Sequence, residues 1–196
     1  MKTILTLLFL LFSSSIVAED ISDFQIEGMS IGDSLFDYFS EEEIKNNFTE
    51  YDYKKVGNLN FITTEFNRHP SLKTYEAIQF LSKENDLKYN IFAISAGIFY
   101  KGNSISGCYQ KLEKVSEELS LLFKYADKQG PVKRTHYSDP THESHYTGIY
   151  FSFKSGDYVS VECFEWSNYM FEKYGNTNSF RISIATAEVG YWVSQQ

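Results

Sequence analysis

The chain has 196 residues, a formal net charge of −8, 42% hydrophobic residues and 17% aromatic residues, among them 15 Tyr and 17 Phe. That balance excludes nucleic acid and anionic membrane surfaces as partners, because both need clustered Lys and Arg and no basic run, Lys133-Arg134 included, is longer than two residues. The Tyr and Phe content predicts a strand-rich fold, since these side chains suit pleated, half-buried surfaces.

Residues 1–18 predict a cleavable secretory signal peptide. Lys2 is the positive start, and Ile4, Leu5, Leu7, Leu8, Phe9, Leu10, Leu11 and Phe12 form the apolar core. A small residue, Ala18, stands at the cut before acidic Glu19 and Asp20. The apolar stretch is about ten residues, against about twenty needed to cross a bilayer. The expected product, 19–196, is one soluble monomeric domain, periplasmic or secreted, with no membrane insertion after cleavage. No Cys stands near the cut, so no lipid anchor is expected.

A short strand is predicted over 23–28, followed by a helix from near Ser30 with Ile31, Leu35 and Phe39 on one side. Ser40 and Glu43 have capping-box spacing, which predicts a second helical turn through Ile44 and Phe48. Strands are predicted over 60–66, 74–81 and 89–100. The clearest helix covers 106–125, where Ile105, Cys108, Leu112, Val115, Leu119 and Leu122 recur three or four residues apart. Further strands follow over 133–137, 145–153, 158–166 and 180–186. The turn Lys154-Ser155-Gly156-Asp157 reads as a hairpin with Gly156 at a positive φ.

The only two cysteines, Cys108 and Cys163, each fall on the apolar side of their element. In an exported domain this pattern predicts a helix-to-sheet disulfide, with two separate buried thiols as the alternative. Closing a loop of this length stabilises a fold by about 4 kcal/mol in the chain-entropy model.

One internal repeat organises the elements. Ile26-Glu27-Gly28-Met29-Ser30-Ile31 matches Tyr100-Lys101-Gly102-Asn103-Ser104-Ile105, each a strand end followed by Gly and a Ser-Ile helix start. Gly permits the sharp turn and Ser can cap the helix. Three predicted strands follow each helix. The fold class is therefore α+β, as two tandem helix-plus-antiparallel-sheet repeats, about 23–96 and 97–196, forming one domain. Convergence of two strand-to-helix junctions on one local solution is the alternative.

Two groups of residues carry candidate chemistry. His136, His142 and His145 lie within ten residues, with Asp139 and Glu143 between them, and imidazole with carboxylate suits zinc or copper. The spacing is not the His-Glu-x-x-His helix motif, and a solvated polar loop accounts for it as well. The second group is aromatic: Tyr146 and Tyr150 on one strand, and Tyr158, Phe164 and Trp166 on the next. All five point away from the apolar side, and aligned they form a strip able to bind a protein or stack a sugar. Ordinary filling of half-exposed strand sites is the alternative. No Gly-x-Ser-x-Gly elbow is present, and the acid runs Glu41-Glu42-Glu43 and Glu117-Glu118 read as solvated helix faces.

The run from Asp23-Phe24-Gln25-Ile26-Glu27-Gly28-Met29-Ser30-Ile31 to Phe39, together with Cys108-Tyr109-Gln110-Lys111 and Ser155-Gly156-Asp157-Tyr158-Val159-Ser160-Val161-Glu162-Cys163, resembles a group of small exported proteins of AT-rich marine bacteria with no assigned activity. The resemblance covers nearly the whole chain beyond the signal peptide and implies that both Cys are a shared feature. The Gly28-Met29-Ser30-Ile31-Gly32 opening, followed twice by a helix and three strands, also resembles tandem helix-plus-three-strand modules. Outer-membrane assembly lipoproteins and β-lactamase inhibitor proteins are of this kind. That resemblance implies action by binding other proteins, although the lipoprotein Cys is absent. The functional expectation is a non-catalytic module binding a protein or an envelope component. The alternative is a metal-binding protein or metal-dependent hydrolase centred on the His136–His145 loop.

Overall fold

The computed structural model describes residues 20–51, 53–101 and 105–196. The predicted signal peptide and the Gly102-Asn103-Ser104 junction lie outside the described residues. The fold is a mixed α/β domain built on an open antiparallel sheet of eight strands. These are β1 (Phe48–Thr49), β2 (Phe61–Asn67), β3 (Ala77–Lys83), β4 (Ala93–Phe99), β5 (Asp127–Thr135), β6 (His145–Ser152), β7 (Tyr158–Glu165) and β8 (Ser179–Ala185). The spatial order is β1-β2-β3-β4-β8-β7-β6-β5, so two meanders meet along the β4–β8 seam. That seam is continuous from Ala93↔Ala185 to Phe99↔Ser179.

Among the described residues four α-helices accompany the sheet: α1 (Glu41–Asn46), α2 (Ser106–Leu122), α3 (Asn168–Tyr174) and α4 (Ala187–Val193). The capping box at α1 is present as predicted, with Ser40 and Glu43 each accepting from the other's backbone N–H. The longest, α2, lies against β7 and β8 and buries Cys108, Leu112, Ser116 and Leu119. The apolar side of the strands supplies Val161, Phe180 and Ile182 beneath it and, toward β2 and β3, Phe66 and Phe80, whose rings pack against Phe39; all belong to one core. Cys108 in the first turn of α2 is disulfide-bonded to Cys163 in β7, with Cα atoms 5.9 Å apart. The alternative of two separate thiols is therefore set aside.

Several sequence expectations fail locally. No helix forms at Ser30 and no sheet strand over 23–28. Ile26 and Met29 form an isolated bridge, and only a 3-10 turn, Leu35–Asp37, follows. The backbone explains it: Glu27, Gly28 and Gly32 have φ of 55°, 82° and 91°, which a right-handed helix cannot include. The Asp33 carboxylate accepts from the Ser30 N–H at 2.8 Å and fixes a local turn in place of a helical one. The apolar spacing was nevertheless meaningful, since Leu35 and Phe39 are buried in the core and Ile31 packs against it. The weak strand expected over 133–137 is the longer, bulged edge strand β5. Neither α3 nor α4 was anticipated.

Candidate functional site

Alternation along the strands gives the sheet a second face, and its side chains fall in rows set by the register. One row runs Glu65, Gln79, Ser95, Ser183, Ser160, Tyr150 across six strands. The next runs Asn67, Ala77, Gly97, Arg181, Glu162, Gly148. The third is Phe99, Ser179, Phe164, Tyr146. Small residues at the middle of these rows leave a trough, because a Ser or Gly side chain does not fill the space above a pleated sheet.

One end of this face is closed. Trp192 of α4 is fully buried, its ring 5.1 Å from Phe61 and 4.9 Å from Tyr53, with Val189, Ala93 and Ala185 in the same cluster. Toward the other end the face is open. Tyr51 flanks it there; its hydroxyl donates to Glu65 at 3.0 Å and accepts from the Gln79 amide at 3.2 Å. Burial and the Glu65 charge push the Tyr51 hydroxyl up to about 12, so it remains a donor. Between these groups lies a trough of about 200 Å³, lined in part by Tyr51, Gln79, Ser95, Gly97 and Arg181. It adjoins a larger cleft of about 620 Å³, and Phe99, Ser179 and Arg181 line both.

The five predicted aromatic residues do share this face, as one cluster and two separate residues. Tyr146 and Phe164 stack at 5.6 Å, and Phe164 and Trp166 at 6.3 Å, with interplanar angles of 21° and 19°. His136 joins them, 4.4 Å from Trp166. The Arg181 guanidinium sits 4.4 Å from the centre of the Phe164 ring. Tyr150 leaves the cluster: its ring lies along the strand over Gly148, and its hydroxyl donates to Glu162 at 2.9 Å. A Cβ at position 148 would come within 2.5 Å of that hydroxyl, so any larger residue there would displace the Tyr150 ring. Two residues depart from an exposed strip. Phe164 is only 6% exposed, because Tyr146, Trp166 and Arg181 surround it. Tyr158 packs against the Val189–Trp192 cluster, beside Gly190 of the unanticipated α4.

The three histidines take different roles. His136 stacks on Tyr137 and lies tilted beside Trp166, and its Nδ1 shares a 2.9 Å hydrogen bond with Ser138. Burial, aided by the Arg181 charge and opposed by Asp139, lowers its pKa below the ordinary histidine value. His142 is exposed in a left-handed conformation, and His145 opens β6 opposite Glu165. Asp139 is fully buried and accepts hydrogen bonds from the N–H and hydroxyl groups of both Thr141 and Ser144. Desolvation alone would raise this carboxyl; the donors overcome it and hold it far below the carboxylate range. Asp139 thus organises the loop from within. Among the described residues, no three His, Cys, Asp or Glu side chains are gathered as a metal ion needs.

Arg181, Glu65 and Glu162 escaped the sequence reading. Their signal was alternation: Phe180, Ile182 and Ile184 face the core, so the charge at 181 has to face outward. No protein-family model, no curated protein and no solved structure matches the chain.

Proposed function

We propose that the chain is an exported, non-catalytic binding module made of two helix-plus-sheet repeats, and that the open end of the outer sheet face receives its partner, a protein or an envelope component. The observation carrying this reading is the trough itself: a floor of small residues in register, with Tyr51 and Arg181 in its lining and the Tyr146–Phe164–Trp166 cluster next to Arg181. Surfaces of this composition, aromatic with Arg, recur where proteins bind. Glu65 accepts from the Tyr51 hydroxyl and so positions that flank of the trough, while Glu162 accepts from Tyr150 and holds it apart from the cluster.

The strand order supports the repeat reading, since each half is a meander ending at the central seam. A buried disulfide agrees with an oxidising destination, and among the described residues no helix is long and apolar enough to cross a membrane.

Affinity capture from periplasmic extract tests the reading, comparing wild type with Trp166→Ala and Tyr150→Ala variants whose thermal melts show them folded. Wild type should retain a partner that rebinds after purification, and Trp166→Ala should lose it. Equal recovery by all three proteins would remove the sheet face as the binding site.

A further inference from the structure

We propose that the larger cleft binds an acidic saccharide, with Arg181, Arg68 and Lys101 meeting its carboxylates and Trp166 stacking on its sugar ring. This rests on the reading of the outer face as a binding surface. The cleft lies at the end of the sheet where β2, β4 and β7 finish and β3 and β8 begin. Topology therefore brings together residues far apart in sequence: Arg68 just after β2, Lys101 after β4, Trp166 after β7 and Arg181 within β8.

Charge points to the ligand. The chain carries a net −8, yet three of the four charged residues lining this cleft are cations, Glu76 being the exception. Among the described residues none of the three cations makes an ion pair or a side-chain hydrogen bond; Arg181 rests on the Phe164 ring instead. Glu76 is occupied, its carboxylate accepting from the Phe99 N–H at 2.7 Å. A guanidinium fork pairs with a carboxylate through two parallel hydrogen bonds, which favours an anionic ligand here.

The remaining lining separates a sugar acid from other anions. Phosphate sites lean on convergent backbone N–H groups. Here four of those donors are spent: Tyr100 N–H on Asn178, Phe99 N–H on Glu76, Trp166 N–H on Asn178 and Arg68 N–H on Glu76. A peptide added as a strand would need an open strand edge, and β3, β4, β7 and β8 under the cleft are paired on both sides. What the cleft offers is side chains: an indole face, the Asn176 amide, the Thr177 hydroxyl and three cations. Planar aromatic faces, amides and hydroxyls match the apolar ring face and hydroxyls of a sugar. The volume of about 620 Å³ suits a short oligomer.

Isothermal titration of the full chain with trigalacturonate tests the proposal, against its methyl-esterified form, inorganic phosphate and a hexaglutamate peptide. Trigalacturonate should bind saturably and weaken with added salt. Esterification, or Arg181→Ala, should each reduce affinity at least about tenfold, the loss of a charged hydrogen-bonded pair. Arg181→Lys keeps the charge without the fork and should fall between wild type and Arg181→Ala. Thermal melts establish that the variants fold. The proposal is overturned by no saturable binding, by equal binding of the ester, by phosphate or hexaglutamate binding as tightly, or by indifference to Arg181→Ala. If trigalacturonate fails while a captured partner still depends on Trp166, the saccharide is wrong and the binding-module reading stands.

Discussion

The two faces of the sheet are made by the same eight strands and serve opposite ends. On the α2 face, Phe66, Phe80, Ile94, Val161, Phe180 and Ile182 share one core with Phe39, Cys108, Leu112 and Leu119, and the disulfide ties helix to sheet. On the other face, the residues one step along the same strands are Gln79, Ser95, Ser160, Ser183 and Arg181. Side chains of a strand alternate between faces, so every residue that feeds the core hands its neighbour to the outer surface. The outer face is itself divided, since α4 plugs one end with Trp192 and leaves the other open. Stability and recognition can therefore be separated by residue.

The comparison makes graded predictions. The largest losses should come from emptying the packed layers. Phe180→Ala on the α2 face and Trp192→Ala under α4 should each cost about 3–5 kcal/mol in urea-melt stability. A small effect of Trp192→Ala would mean that α4 is not a second core. Removing the disulfide by Cys108→Ala with Cys163→Ala should cost about 2–5 kcal/mol, read as the difference between the melts of oxidised wild type and the double variant. A melt of wild type unchanged by reductant would count against the bridge as a structural element.

Asp139 sharpens the comparison at the loop bordering the open end. Its pKa is depressed in the folded state, so its stabilisation is present in full above the ordinary carboxylate value. It fades as pH falls through that value toward the folded one. The stability gap between wild type and Asp139→Asn should accordingly be widest at about pH 7 and narrow below about pH 4. A gap constant with pH would show that the ionised carboxylate is not what holds the loop.

The smallest effects should fall on the open face. Tyr150→Phe removes one hydroxyl hydrogen bond to Glu162 and should cost about 0.5–1.5 kcal/mol. Arg181→Ala, losing one cation–π contact, should cost no more than about 1 kcal/mol in thermal or urea melts. A loss of several kcal/mol at Arg181 would make it a structural residue and remove the division between the faces.

Sequence alone determined the elements whose apolar periodicity was long: the α2 stripe, the alternation in β6, β7 and β8, and the hairpin at Gly156, where φ is 89°. It also placed both Cys on core-facing positions, because 3.6- and 2-residue periods follow from local backbone geometry. It misjudged 23–39, where left-handed Glu27 and Gly28 interrupt the expected strand and left-handed Gly32 interrupts the expected helix. Tertiary structure alone decided the rest. The seam of β4 with β8 joins strands some 80 residues apart, and no local pattern encodes which edges meet. That pairing sets Arg181 beside Gly97 and brings Arg68, Lys101 and Trp166 around one cleft, while α4 takes Tyr158 out of the predicted aromatic strip. A binding surface assembled across strands depends on register between distant segments, which is fixed only when the whole sheet closes on its core.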